Sequence, residues 1–209
     1  MNSARMREFM IIKIPFFSQS ALDCGPTALR MVLNYLGKYE DLSVIKEKAG
    51  TRGIWGVYGV QLAVAAAFFG CKTDFFSKKT EFNEENSKID YYKKWMDTNP
   101  EHYNKFLEQA TVLGVNIQEK TLSLDELLGF VTEDSIPIVA LDYNVLNNRG
   151  EGNYEGHFVP IIGDNREKDV CIYDSLCDER EELHFSREIF DRARKAPGTD
   201  ESVVIVHRR

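Results

Sequence analysis

The stretch from Gln19 to Leu36, QSALDCGPTALRMVLNYL, constrains the fold more tightly than any other part of the chain. Proline is accepted in an α-helix only in the first turn, where backbone N–H groups have no intrahelical partner. Pro26 therefore places a helix start beside Cys24. Leu29, Val32, Leu33 and Leu36 recur at i, i+3, i+4 and i+7, and Ala28, Met31 and Tyr35 widen the stripe, so the helix is buried on most sides. Gly37 ends it. A cysteine at the mouth of such a helix meets free N–H groups and the positive end of the helix dipole, both of which favour thiolate over thiol. Gly25 leaves room for a substrate to approach. Because free cysteine is also a common small buried hydrophobe, a nucleophile here needs a base from elsewhere in the chain.

The 209 residues, 43% of them hydrophobic, suit a single domain spanning 1–209 with a real core. A net charge of -7 argues against nucleic acid and anionic membranes as partners, since both call for a basic face. No apolar run reaches membrane-spanning length, and the first residues, MNSARMREFM, lack the apolar stretch of a secretory signal, so a cytoplasmic protein is expected. Cys24, Cys71, Cys171 and Cys177 form no CxxC pair, which argues against a disulfide scaffold and a zinc knuckle. Neither a metal nor a cofactor is expected.

Along the chain, Ile11 to Phe17 reads as a short strand or extended lead-in kept at an edge by Pro15. Leu42 to Ala49 reads as a short helix closed by Gly50. The loop Thr51 to Gly59 carries Trp55, a candidate to line a cleft. Val60 to Phe69 is helical by composition, with an Ala-rich face for packing on the first helix, and Cys71 to Ser77 is a strand. Residues 78–114 read as a helical insertion or flap: a charged stretch to Lys94, then a helix capped by Asn99 and Pro100 with Tyr103, Phe106, Leu107 and Ala110 on one face. Val115 to Glu119 is a strand, and Ser123 to Glu126 is a capping box. Strands follow at Ile136 to Asp142, Phe158 to Ile162, Val170 to Tyr173 and Val203 to His207, with a helix beginning at Ser186. Helices dominate the first half and antiparallel strands the second, an α+β arrangement.

The base comes from the late strands. If Gly163 to Asp169 is the loop of a hairpin and Ile161 faces Val170, then Val159 faces Ile172 and His157 faces Asp174 on one sheet face. Pro160 implies an edge or a bulge nearby. Asp174 would hold the imidazole, and His157 would exchange a proton with Cys24. Gln19 offers a side-chain amide for an oxyanion hole together with the Cys24 N–H, and Gly156, beside the histidine, is a candidate substrate contact.

QSALDCGPTALRMVLNYLG, GHFVPIIG and IYDS together resemble the papain-like superfamily that includes the bacteriocin-processing, double-glycine leader peptidases. That resemblance implies a papain-like fold, with Cys24 as nucleophile, His157 as base, Asp174 as orienting acid and Gln19 as oxyanion donor. Gln19 stands five positions before Cys24, where many relatives have six, and Ser18 occupies the usual offset. A resemblance covering almost the whole chain, through GIWGVYGVQLAVAAAFFG, YEGHFVPIIG and APGTDESVVIVH, is to the guanylyl cyclase domain-containing family, whose members often carry an amide at the place of Asp174.

The expected function is a thiol hydrolase, a cysteine peptidase acting on a peptide or protein substrate through an acyl-enzyme at Cys24. The alternatives are a nucleotide-binding or cyclase protein, as the second resemblance implies, and a papain-fold module that binds peptides without cleaving them. A cyclase requires carboxylates holding two metal ions and a cradle for a triphosphate, and no glycine-rich phosphate loop opens a helix in this sequence.

Overall fold

A computed structural model describes residues 10–20, 22–51, 55–150, 152–165, 168–177 and 182–208. Part of the loop carrying Trp55, residues 52–54, lies outside the described residues, as do the first nine residues. In chain order the elements are β1 (Met10–Ile11), α1 (Cys24–Tyr35), α2 (Leu42–Lys48), α3 (Gly59–Phe68), β2 (Lys72–Ser77), α4 (Glu84–Ser87), α5 (Asp90–Trp95), α6 (Pro100–Val112) and β3 (Asn116–Glu119). The second half continues with α7 (Leu124–Leu128), β4 (Ser135–Asp142), α8 (Tyr143–Leu146), β5 (Gly156–Asn165), β6 (Asp169–Tyr173), β7 (Glu182–Ser186), α9 (Arg187–Arg194) and β8 (Val203–His207). No helix among the described residues is long and apolar enough to cross a membrane.

The strands form one mostly antiparallel sheet in the order β3-β2-β8-β4-β5-β6-β7, with β1 paired to β5, so the fold is α+β. The C-terminal strand β8 lies inside the sheet, bonded to both β2 and β4. All eight residues of β4 are buried, and α1 and α9 both pack on it. The Ala-rich α3 packs on α1 and against β2 and β8. Small side chains let these helices approach closely over an apolar sheet.

Local signals explain most element ends. Asn99 Oδ1 accepts from the Glu101 N–H at 3.0 Å with Pro100 at the first helical position, and Ser123 and Glu126 make a reciprocal capping box. Gly37, Gly50 and Gly114 end their helices in the left-handed conformation that glycine adopts without steric conflict.

The 78–114 segment has a topological role. β2 and β3 pair in parallel, and a parallel pair requires a crossover, which α4, α5 and α6 supply. Its charged first part is anchored by an apolar minority: Tyr92 and Met96 are buried, and Asn86 is buried with its amide on Asp200.

Two strand expectations need correction. β5 runs on to Asn165, so the hairpin loop is shorter than the 163–169 span expected from its polarity. Ile161 pairs with Ile172 rather than Val170, and the register shifts between Ile161 and Gly163, so Ile162 is a bulge two residues beyond Pro160. The bulged residue is not idle, since its carbonyl accepts from the Ile12 N–H at 2.7 Å and ties the lead-in segment to the sheet. That lead-in forms only a two-residue strand.

Candidate functional site

Cys24 is the first residue of α1, preceded by Leu22 in the left-handed region at φ 61° and by the buried Asp23. Non-glycine residues rarely adopt that backbone, and here it turns the chain sharply into the helix. Asp23 makes no side-chain cap; it is held by Lys46 Nζ at 2.7 Å and by the Ser20 hydroxyl. Pro26 falls in the first turn, and the first intrahelical bond there runs from the Thr27 N–H to the Asp23 carbonyl at 2.8 Å. The Gly25 N–H is thereby left to donate to the Cys24 sulfur, as does the Phe158 N–H.

His157 lies near the start of β5, paired with Leu141 of β4, and α1 packs on this strand. Its Nε2 stands 2.8 Å from Asp174 Oδ1, with both residues buried. The contact is not the cross-strand pair that period-two counting suggests. β6 ends at Tyr173, and Asp174 opens a turn in which its Oδ1 also accepts from the Leu176 N–H at 2.9 Å. This Asx-type turn fixes the carboxylate, which reaches the ring from beyond the strand end. With Nε2 taken, Nδ1 is the nitrogen left for the sulfur. Tyr143 packs edge-on against the imidazole, ring centroids 5.2 Å apart.

The electrostatics follow from this geometry. Burial alone would push the Cys24 thiol up, but the hydrogen bond and charge of His157, with the Phe158 and Gly25 N–H groups, hold it below the usual thiol value. For His157 burial opposes protonation, yet Asp174 and then Cys24 outweigh it and raise the imidazole to about 10. Asp174, which burial would raise, is held below the usual carboxylate range by the His157 ring and the Leu176 N–H. Both directions favour a thiolate beside an imidazolium.

Gln19 approaches from the lead-in segment. Its backbone N–H donates to the Ser175 carbonyl at 2.8 Å, and its Oε1 accepts from Ser175 Oγ at 2.6 Å. The side-chain bond anchors the amide, and Gln19 lines the same cavity as Cys24.

That cavity, about 800 Å³, is also lined by Gly156, His157, Leu176, Trp95 and six tyrosines from α3's approach, α5, α6, α8 and residues 153–155. Of the expected site residues, Cys24, His157, Gln19 and Gly156 line it, and Asp174 stands behind the histidine. Gly156 has its carbonyl bonded by the Tyr91 hydroxyl at 2.9 Å, and a Cβ there would stand 2.8 Å from the Tyr154 hydroxyl.

Trp55, 40% exposed, is not among the lining residues; Trp95 is. Gly25 is buried, and a Cβ on it would meet Val57 Cγ2 at 2.6 Å. Its missing side chain makes room for the α3 approach rather than for a substrate. Neither periodicity nor spacing points to Asp23, Lys46, Tyr143 or Ser175. Only the adjacency of Asp23 to Cys24 could have drawn attention to one of them.

Among the described residues, the one group of three metal-type donors is Cys171, Glu182 and His184, whose ligand atoms lie within 4.8 Å of one another. It sits on β6 and β7, away from the cavity lining. Lys13 already pairs with Glu182, and burial followed by the Glu182 charge pushes the Cys171 thiol up to about 12.

The comparisons with known proteins agree with this fold. The solved structure of a protein from Bacillus anthracis described as a C39-like peptidase superposes with a TM-score of 0.61 at 18% identity, covering 97% of this chain and 99% of that one. A double glycine motif protease from an AMS/PCAT transporter, solved in complex with the leader peptide, gives a TM-score of 0.52 at 18% identity, over 96% and 95% of the two chains. The peptidase domain of Streptococcus ComA gives 0.50 at 15% identity, over 94% and 98%. At the sequence level, Guanylyl cyclase 1 of Arabidopsis thaliana is 25% identical over 211 residues, covering 88% of this chain and 72% of that protein. The family model described as guanylylate cyclase matches residues 14–206, and the chain, with its papain-like C39 peptidase fold, belongs to that family.

Proposed function

We propose that the protein is a cysteine peptidase or closely related thiol hydrolase that cleaves a peptide or amide bond through an acyl-enzyme on Cys24. The observation that carries this reading is the chain of contacts from Asp174 through His157 to a sulfur at a helix N-terminus. The Cys24 thiolate attacks the carbonyl carbon, and the new oxyanion accepts from the Cys24 N–H and from Gln19 Nε2. The His157 imidazolium gives its proton to the leaving amine as the carbon–nitrogen bond breaks. Neutral His157 then takes a proton from water, the hydroxide displaces the sulfur, and the thiolate–imidazolium pair is restored. Asp174 keeps the ring oriented throughout. A peptide is the favoured substrate class because a relative of the same fold was solved with a leader peptide bound.

The family's name points to nucleotide cyclisation, for which the residues of the cavity are poorly suited. Its acidic lining residues are Asp90, Glu155 and Asp200, against Lys94 and the histidine, so a triphosphate would meet like charge. The Cys171, Glu182 and His184 group holds a single carboxylate outside the cavity and does not fit a two-metal cyclase centre.

The test is to incubate the protein with an activated ester and digest it for mass spectrometry. An acyl adduct on Cys24, absent in Cys24→Ala, supports the reading. Conversion of GTP to a cyclic nucleotide that survives Cys24→Ala would replace it with the cyclase.

A further inference from the structure

Part of the cavity wall takes no part in the chemistry at Cys24. Tyr58, Tyr92 and Tyr103 line it, and each commits its hydroxyl to a backbone carbonyl: Asp97 at 2.8 Å, Gly198 at 2.6 Å and Thr80 at 3.1 Å. The rings are also locked against one another, Tyr58 and Tyr103 edge to face with centroids 5.0 Å apart and Tyr58 and Tyr92 6.1 Å apart. Their polar ends are spent, and what remains for a ligand is rigid aromatic surface, whose faces attract cations.

Asp200 belongs to the same wall. Asn83 and Asn86 each donate to one of its carboxylate oxygens at 2.7 Å, which leaves lone pairs on both. Asp200 and Glu201 stand consecutively in the left-handed region, at φ 49° and 51°. Two such non-glycine residues in a row are strained, and strain of this kind collects where a side chain must be held in place. Burial first and the Asp200 charge second raise the Tyr92 and Tyr103 phenols, so the carboxylate lies among the rings.

A third feature is independent of these. Ser202, 7% exposed, is a lining residue of the cavity, and its buried Oγ has no hydrogen-bond partner among the described residues. A buried hydroxyl without a partner is uncommon and unfavourable, and a ligand donor would satisfy it.

We propose that this wall is a subsite for a cationic side chain, lysine or arginine, of the peptide substrate. Asp200 is its counter-ion, Ser202 Oγ accepts one of its N–H groups, and the faces of Tyr58, Tyr92 and Tyr103 enclose it. The ligand class rests on the peptide reading above, whereas the cation preference is a property of the cavity and can be measured without turnover.

The experiment is equilibrium binding to Cys24→Ala by fluorescence anisotropy. The probes are labelled alanine-based pentapeptides in which one lysine, norleucine or glutamate is scanned through the positions, with n-butylamine as competitor. At one position lysine should bind about tenfold or more tighter than norleucine, glutamate should bind worst, and added salt should shrink the difference. Asp200→Asn should abolish the lysine advantage. Because that variant also alters the Asn83 and Asn86 bonds, Ser202→Ala, which removes no internal hydrogen bond, should lower the advantage several-fold in a fully folded protein. Equal binding of lysine and norleucine at every position overturns the proposal, even if Cys24 proves reactive. Butylamine binding as tightly as the peptide would also overturn it, in favour of a free-amine site. A lysine preference without any acyl-enzyme would leave this subsite standing and remove only the hydrolase reading.

Discussion

Lys46 Nζ of α2 lies 2.7 Å from Asp23 Oδ1, one residue ahead of Cys24. The carboxylate is buried and would oppose a thiolate next to it if it stood alone. The ammonium neutralises it, so an ion pair joining α1 to α2 protects the electrostatics of the site while bracing the helix start. Replacing Lys46 by methionine leaves a buried charge beside Cys24. The variant should raise the Cys24 pKa, measured by the pH dependence of thiol alkylation, and lower stability by on the order of 1–3 kcal/mol in denaturant unfolding, with Lys46→Arg restoring most of both.

Asp174 acts on the sulfur only through the ring it holds. Asp174→Asn keeps the shape and removes the charge that helps raise His157, so the imidazolium form should be lost at lower pH than in the wild type. The thiolate share in mild acid falls with it, and alkylation of Cys24 should slow by about tenfold for each unit by which the pair's balance moves. Asp174→Ala removes orientation as well and should be the more damaging, which comparison of turnover in the two variants reads directly.

The His157 titration itself is open to measurement. Cys24→Ser removes the neighbouring anion, one of the causes that raise the ring, so its pKa by NMR should fall from about 10 in the wild type while the Asp174 contact keeps it from returning fully. Unchanged titration would mean that the sulfur carries no charge next to the ring.

Gly25 supplies a test of packing against access. Gly25→Ala drives a methyl to within 2.6 Å of Val57 Cγ2. Overpacking of this sort costs roughly 1–3 kcal/mol, and the loss should appear in thermal unfolding. Val57→Ala in the same chain should recover part of it, which a substrate-access role for the glycine would not predict.

The sequence was most readable where one residue constrains its neighbours. Pro26 beside Cys24 and the apolar stripe that follows announce α1, and alternation brings His157 and Asp174 to the same end of two strands. The register itself was not readable, because the Ile162 bulge shifts it and the carboxylate reaches the ring from a turn. The cavity wall was hidden for a different reason. Tyr91, Tyr92, Trp95 and Met96 are scattered through a charged run, and only the crossover between β2 and β3 folds them against Asp200 and Ser202 from the other end of the chain. Trp55 stands in a glycine-punctuated loop and Trp95 in the charged run, and no periodic signal separates the one that lines the cavity from the one that does not.

Cysteine alkylation by iodoacetamide, resolved residue by residue with mass spectrometry across pH, tests the central claim most directly. At about pH 6, Cys24 should label far faster than Cys71, Cys171 or Cys177, hold a plateau as pH rises, and slow markedly in His157→Ala. Labelling of Cys24 that begins only in the alkaline range, at the pace of the other thiols and indifferent to His157, would contradict a thiolate held at the start of α1.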